Sequence, residues 1–264
     1  GPALLRVPRH QLPPVRLMED FSAQERQTHD FATQTTTTVR TVCPDAPGYV
    51  AKAIIHKGIW KATIASPGDQ PATLTVDHRK LLRLKVSYEC TASAHHSFIL
   101  VERSAFNLLP AHGSEPLVRL EYLRHPRSEV PCCHLQIHAH RDDWTFAMTR
   151  NGVGSNRSSV AKRASTERAP QLSDIHFPVG GPRLRPILED FLEMLIHDIG
   201  VDHGEDALEI LAQQRAVWRI NQSRAIIASL PDVAAEVLRD AGYSVTPPDD
   251  CGNLTNQRGW LTRY

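Results

Sequence analysis

The segment Leu82–Tyr88, which reads LRLKVSY, alternates apolar and polar residues without interruption. Because successive side chains of a β-strand point to opposite faces, this alternation predicts a strand with Leu82, Leu84, Val86 and Tyr88 on one buried face. The residues between them would then face solvent. Strands with one buried and one solvated face are typical of antiparallel sheets. We therefore expect this segment to belong to an antiparallel sheet.

Further strands are predicted on both sides of this segment. A β-branched run that begins at Thr35 has the composition preferred on pleated surfaces. Short turn-forming stretches separate the other β-rich segments. Together they predict a sheet of about six to eight strands. The other predicted strands are Tyr49–Ile55, Ile59–Ala65, Ala72–Val76, Ser97–Glu102, Leu117–Leu123 and Cys132–His140.

The C-terminal part has the periodicity of helices. After Pro186, apolar residues recur at spacings of three, four, seven and eight, which predicts a helix that ends at Gly200. A second helix is expected from Glu205 to about Ser229, and a third over Pro231–Ala241. A sheet followed by helices indicates the α+β fold class.

The chain is expected to divide into five parts. Proline and arginine near the N-terminus favour an extended arm, and one long stretch has too little apolar periodicity for a regular element. The expected parts are an extended arm and short helix (1–34), an antiparallel β-rich domain (35–150), a loop (151–173), a helical part packed on the sheet (174–245) and an irregular tail (246–264).

Composition limits the class of protein. The chain has 41% apolar and 22% charged residues, as globular proteins do, and no apolar run near the roughly 20 residues of a membrane helix. Its formal net charge of +1 predicts that any nucleic acid is bound by a local patch. Five cysteines, an odd number without a CxxC pair, indicate buried thiols in a reducing compartment. We therefore expect a cytoplasmic protein with no membrane partner.

The most unusual segment is Cys132–His140, which reads CCHLQIHAH. As a strand it would carry His134, Gln136, His138 and His140 on one face. Histidine titrates near neutral pH, so these side chains could accept and donate protons. RNA contains its own nucleophile, the 2′-hydroxyl, so a ribonuclease needs mainly positioned proton carriers and cations.

This arrangement predicts a metal-independent ribonuclease as one interpretation. A nearby arginine could stabilise phosphate charge with its planar guanidinium group. The candidate catalytic residues are His134, His138, His140, Arg141 and His176.

Two other interpretations of the histidines stay open. His138 and His140 would lie about 6.6 Å apart on a strand, close enough to share one metal ion in a metal-dependent hydrolase. Alternatively, the histidines are hydrogen-bonded or solvent-facing residues without chemistry. Neither nucleotide-binding fingerprint is present, and we expect no cofactor.

Basic residues outside this strand are candidates for nucleic-acid binding. Three lie in the loop 151–173, where they either contact phosphates or are simply solvated. Two follow a pair of glycines before the first C-terminal helix, in a stretch that is either a phosphate-binding corner or a tight strand-to-helix connection. The candidates are Arg157, Lys162, Arg163, Arg183 and Arg185.

Two arginines on the second C-terminal helix share one face. Arg215 and Arg219 are four residues apart, so their like charges repel unless a partner is present. The partner is either another protein or a carboxylate of this chain, such as Glu209 or Asp190.

The order of motifs between residues 117 and 196 resembles the TumE-type toxins of bacterial toxin–antitoxin modules. The stretch LVRLEYLRHPRSEVPCCHLQIHAH contains a strand, a His-Pro turn and a His-rich strand, and a short acidic helix follows later. The resemblance implies a growth-inhibiting protein that acts on RNA and is silenced by an antitoxin partner. The positions carried over are His125, His134, His138 and His140.

These observations lead to one working hypothesis and one rival. The hypothesis is a toxin-like protein of a toxin–antitoxin or defence module that acts as a ribonuclease, with RNA and an antitoxin as partners. The rival is a non-enzymatic interaction protein or regulatory scaffold.

Overall fold

An eight-stranded antiparallel sheet is the main element of the described part of the chain. The computed structural model describes residues 22–56, 59–92, 98–126, 130–139, 171–174, 176–180, 183–246 and 258–262. The strands are β1 (Val50–His56), β2 (Ile59–Ala65), β3 (Ala72–Val76), β4 (Arg79–Ala92), β5 (Ile99–Pro110), β6 (Val118–Leu123), β7 (Cys133–Ile137) and β8 (Phe177–Pro178). Their order is β1-β2-β4-β5-β6-β7-β8, and β3 also pairs with β4.

One helix precedes the sheet and three follow it in the described residues. The helices are α1 (Ser22–Arg40), α2 (Leu188–Met194, extended by a π-helical turn over Leu195–Ile199), α3 (Ala207–Ser229) and α4 (Pro231–Asp240). The helix α2 ends where predicted, because Gly200 has a φ of 76°, which glycine adopts without steric cost. Together with the sheet, these helices confirm the α+β class. None of the described helices is long and apolar enough to cross a lipid bilayer.

The alternating segment Leu82–Tyr88 forms the middle of β4, as predicted. Leu84, Val86 and Tyr88 are buried on the face that the helices cover. The ring of Tyr88 lies 4.6 Å from the ring of Phe31 on α1 and 5.6 Å from that of Phe106 on β5. These aromatic contacts join α1 to the sheet in one hydrophobic core.

The prediction of a strand from Thr35 is wrong, because the threonine run lies within α1. Buried residues recur there at helical spacing, with Thr28, Ala32, Thr35 and Val39 turned towards the core. The predicted boundary at residue 35 between a short helix and the β-rich domain therefore falls inside one 19-residue helix.

Threonine hydroxyl groups explain how so many β-branched residues fit into α1. The hydroxyls of Thr28, Thr35 and Thr36 each donate to the carbonyl oxygen four residues earlier, at 2.6 to 2.9 Å. This local bond is available to threonine in a helix. One of these hydroxyls also accepts a hydrogen bond from the backbone N–H of Tyr49, which fixes the chain entering β1.

An ion-pair network joins α2 to α3. The Nε atom of Arg215 lies 2.7 Å from Oδ1 of Asp190, and the same guanidinium group also pairs with Glu193. Arg219 lies 3.6 Å from Asp190. The interpretation that these arginines pair within the chain is therefore confirmed for Asp190.

We expect alanine substitutions at two leucines of β4 to differ strongly in their effect on the free energy of unfolding. Leu84→Ala should lower the free energy of unfolding by about 2–5 kcal/mol, because its fully buried side chain leaves a cavity. Leu81→Ala is the matched control, since 48% of Leu81 is exposed, and it should change stability much less. Urea unfolding of both variants measures the difference, and equal losses would contradict the proposed core.

Candidate functional site

The pairing of β6 with β7 determines which side chains share a face. Glu121 lies opposite His134, and Tyr122 lies opposite Cys133. Because neighbours on a strand point to opposite faces, Glu121 and His134 lie on the face away from the core, whereas Tyr122 and Cys133 face the helices. We call the former the polar face.

An ion cluster on the polar face contains His134, the first predicted catalytic histidine. Its Nε2 atom lies 3.6 Å from a carboxylate oxygen of Glu121. Nη1 of Arg119 lies 3.9 Å from that same oxygen. The other carboxylate oxygen accepts a hydrogen bond from Nη2 of Arg103 at 2.9 Å. Glu121 therefore connects one imidazole and two guanidinium groups across three strands.

The surroundings of His134 fix its ring and close it to solvent. Its Nδ1 atom lies 3.0 Å from the carbonyl oxygen of Pro131, which can only accept, so Nδ1 carries a hydrogen. Only 1% of the residue is exposed. His134 is thus held by interactions within the protein, and a substrate cannot reach its ring in this conformation.

The pKa of Glu121 reflects this cluster. Burial alone would raise the pKa of the carboxyl group, but the adjacent His134 ring, the hydrogen bond from Arg103 and the charges of Arg119 and Arg103 lower it to about 2. The carboxylate therefore stays ionised throughout the physiological range of pH.

His176 joins the polar face from the segment that precedes β8. Its ring packs edge-to-face on that of His134, with 4.7 Å between the centroids. The amide Nε2 of Gln136 lies 3.1 Å from Nε2 of His176 and donates to the carbonyl oxygen of Ser173 at 3.2 Å. The structure therefore brings His134, Gln136 and His176 together, as the alternation of β7 and the choice of His176 suggested.

His138 lies at the end of the polar face, in a cleft of about 340 Å³. The strand β7 ends at Ile137, so His138 follows it rather than lying within it, although its N–H still donates to the carbonyl oxygen of Leu117 at 2.9 Å. The cleft is lined by Pro110, His112, Gly113, Ser114, Glu115, Pro116, Leu117, His138, Ala139, Gln171 and Ser173.

The two ring nitrogens of His138 have different surroundings. Its Nδ1 atom lies 3.3 Å from a carboxylate oxygen of Glu115. Its Nε2 atom is buried and has no hydrogen-bond partner among the described residues. A buried polar atom without a partner is costly and uncommon in proteins. Of the predicted catalytic histidines that the structure describes, His138 lines this cleft, whereas His134 and His176 do not.

Five of the predicted site residues fall outside the described part of the chain. This applies to the metal-chelation hypothesis as well, since one of its two ligands is among them. In the described ranges, no group of three or more His, Cys, Asp or Glu side chains is placed to hold a metal ion. The undescribed candidates are His140, Arg141, Arg157, Lys162 and Arg163.

Arg183 and Arg185 lie on the core face, not on the polar face. The guanidinium group of Arg185 stacks over the ring of Tyr122 at 3.7 Å and lies 5.5 Å from the ring of Trp218 on α3. Burial lowers the pKa of both arginines, and the charge of Arg124 lowers them further. Arg185 thus connects β6 to α3, on the opposite side of the sheet from His134.

Gly180 makes the tight connection that positions these arginines. Its φ is 74°, and a Cβ atom there would lie 2.4 Å from the carbonyl oxygen of Leu184. The backbone therefore approaches itself at this glycine, which favours the tight strand-to-helix connection over a loop shaped around a ligand.

The described cysteines are not reactive nucleophiles. Burial raises the pKa of the Cys90 and Cys133 thiols to about 12, so they stay protonated at neutral pH. Cys43 and Cys132 are also buried, which agrees with the prediction of buried thiols.

Sequence reasoning missed the carboxylates that hold the histidines. Alternation along β6 predicts that Glu121 and Arg119 point to the same face. The register with β7 is needed to show that Glu121 lies next to His134 on that face. Glu115 and His112 lie in the turn before β6, where no periodicity indicates a site.

No family model matches the chain, and neither the curated proteins nor the solved structures with which it was compared show a match.

The ion cluster predicts a specific loss of stability in acid. Because the folded-state pKa of Glu121 is below the ordinary value of 4.5, its stabilisation is present above that value and is lost as pH falls towards about 2. We expect Glu121→Gln to cost up to about 3 kcal/mol at pH 7 and to flatten the pH dependence below about pH 5. Urea unfolding as a function of pH measures both effects.

The matched control for that change is Glu89→Gln. Glu89 lies 3.7 Å from the same Arg103, but its side chain is 56% exposed, so the pair contributes little. A Glu121→Gln variant that kept the wild-type pH dependence would contradict the described cluster.

Proposed function

We propose that this chain is a toxin-like ribonuclease in which His138 transfers protons. The observation that carries the proposal is the place of His138 at the cleft, with Nδ1 next to Glu115 and Nε2 without a partner among the described residues. A carboxylate next to one imidazole nitrogen fixes the tautomer and leaves the other nitrogen free to accept a proton.

The proposed reaction needs a base and an acid. The step requires the buried Nε2 of His138 to become exposed to the cleft. This nitrogen then accepts the proton of the RNA 2′-hydroxyl, whose oxygen attacks the adjacent phosphorus. The bond from phosphorus to the 5′-oxygen breaks, giving a 2′,3′-cyclic phosphate, and the leaving oxygen takes a proton from an acid. We assign this role to His112, which lines the same cleft.

This proposal revises the set of catalytic residues predicted from the sequence. His134 and His176 are given a positioning role, because His134 is sealed and His176 packs against it. The predicted roles of His140 and Arg141, the antitoxin partner and the relation to TumE-type toxins stay predictions.

The proposal is tested by expression in bacteria together with cleavage of RNA by purified protein. We expect the wild-type chain to arrest growth, and His138→Ala to relieve the arrest and to lower the cleavage rate by about 10²–10⁴-fold, as for loss of a general acid or base. His29→Ala is the matched control, since His29 is exposed on α1, far from the cleft in sequence. It should behave as the wild type.

Three results would count against the proposal. The first is the absence of both arrest and cleavage by the wild-type chain. The second is an equal rate for His138→Ala when circular dichroism shows a preserved fold. The third is loss of cleavage on addition of EDTA with recovery on addition of Zn²⁺, which would favour the metal-dependent hydrolase instead.

A non-enzymatic interaction protein is the second candidate function. The observation that favours it is the large number of exposed apolar side chains on α3 and α4, including Ile220, Ile227 and Val237. Exposed apolar patches of this kind mark interaction sites. Growth arrest that persists in His138→Ala would favour this candidate.

A further inference from the structure

The outward side of α3 carries a mainly apolar row of exposed side chains. We call it the α3 row and define it by Ala216, Ile220, Ser223 and Ile227, all of which are exposed. Ile220 and Ile227 are 52% and 57% exposed. The opposite side of the helix packs on the protein through Leu211 and the other inward residues.

The spacing and size of these residues match a helix–helix contact. They follow one another at intervals of four, three and four, which keeps them on one side of a helix over about 16 Å. Small and large residues alternate along the row, as Ala, Ile, Ser and Ile. Each isoleucine side chain therefore projects from the helix next to a space left by a small residue.

We propose that the α3 row pairs with the α3 row of a second copy of this chain, antiparallel, in a two-fold symmetric homodimer. A two-fold axis that passes between Asn221 and Gln222 puts Ile220 opposite Ser223 of the other copy. The same axis puts Ile227 opposite Ala216. Each large side chain then meets a small one, so the row is complementary to itself, as an isologous interface requires.

Charges on the two last helices agree with this pairing. After Glu209, the charged residues of α3 are all arginines, whereas α4 carries Asp232, Glu236 and Asp240 against Arg239. Antiparallel pairing brings the C-terminal end of each α3, with the acidic α4 that follows it, towards the part of the other α3 that carries Arg215 and Arg219. Arg215 is paired within its own chain, whereas the side chain of Arg219 is 64% exposed. Opposite charges near an interface favour the paired arrangement.

The helix α4 extends the apolar surface. None of its residues is buried, and Val233, Val237 and Leu238 are 41% to 61% exposed. Its acidic side disfavours an anionic membrane as the alternative occupant, since membrane-surface helices carry lysine and arginine on their polar side. A second copy is therefore the occupant that the residues favour.

Sedimentation of the full chain tests the proposal. We expect the wild type to sediment with twice the 29.5 kDa mass of the chain, and Ile220→Glu/Ile227→Glu to sediment with the mass of one chain. Asn221→Glu/Ala228→Glu is the matched control, because it adds the same two charges at exposed positions, each about 100° around the helix from Ile220 or Ile227. It should stay dimeric.

A size exchange tests the antiparallel register. Ser223→Ile alone should weaken the dimer, because the new isoleucine would lie directly opposite Ile220 of the other copy. Adding Ile220→Ser should restore it, since the exchange again opposes one large and one small residue. Circular dichroism checks that each variant keeps its helices.

Several outcomes would overturn the dimer. They are a single-chain mass for the wild type at about 100 μM, a dimer that survives the double glutamate change, and a size exchange that fails to restore what Ser223→Ile weakens. Binding to anionic vesicles by a monomeric wild type would assign the surface to a membrane instead. None of these results depends on the ribonuclease proposal, so either proposal can fail alone.

Discussion

Burial of one face of the sheet under α1 and α2 is the constraint on which the remaining structure depends. The rings of Tyr88, Phe106 and Phe191 meet there, joining β4 and β5 to α2. Because side chains alternate along every strand, burying this face assigns each residue of β6 and β7 to one of two environments. Tyr122 and Cys133 lie in the core, and Glu121 and His134 therefore lie on the opposite face of the sheet.

The same constraint separates residues that the sequence suggested for catalysis from residues that it suggested for nucleic-acid binding. Arg185 packs on Tyr122 on the core face, whereas His134 binds Glu121 on the polar face. These two faces of one sheet cannot supply a phosphate contact and a proton carrier to the same substrate atom. What remains on the polar face is a row that begins in a sealed ion cluster and ends in the cleft at His138.

The sequence predicted those elements for which local pattern and tertiary environment agree. Leu82–Tyr88 alternates because one face is buried, and Gly200 ends a helix because glycine adopts positive φ at low cost. The threonine run failed because β-branched composition favours strands, while its burial follows a helical period and its hydroxyls bond to the preceding turn. Composition gave the wrong answer there, and periodicity of burial was not visible from the residues alone.

The environment of each histidine could be predicted only in part. Alternation predicted that His134 and His138 lie on the same side of the chain. Their different burial and hydrogen-bond partners depend on β6 and on the turn before it. His134 meets Glu121 through the register of β6 with β7, and His138 meets Glu115 through the fold of that turn. Contacts between distant segments of this kind carry no local signal in the sequence.

The tautomer of His138 tests the account most directly, because the whole proposal depends on which of its nitrogens faces the carboxylate. Long-range ¹H–¹⁵N NMR of the purified chain at neutral pH distinguishes the two nitrogens. We expect a hydrogen on Nδ1, held towards Glu115, and an unprotonated Nε2. A hydrogen on Nε2 with a bare Nδ1 would contradict the proposed proton carrier.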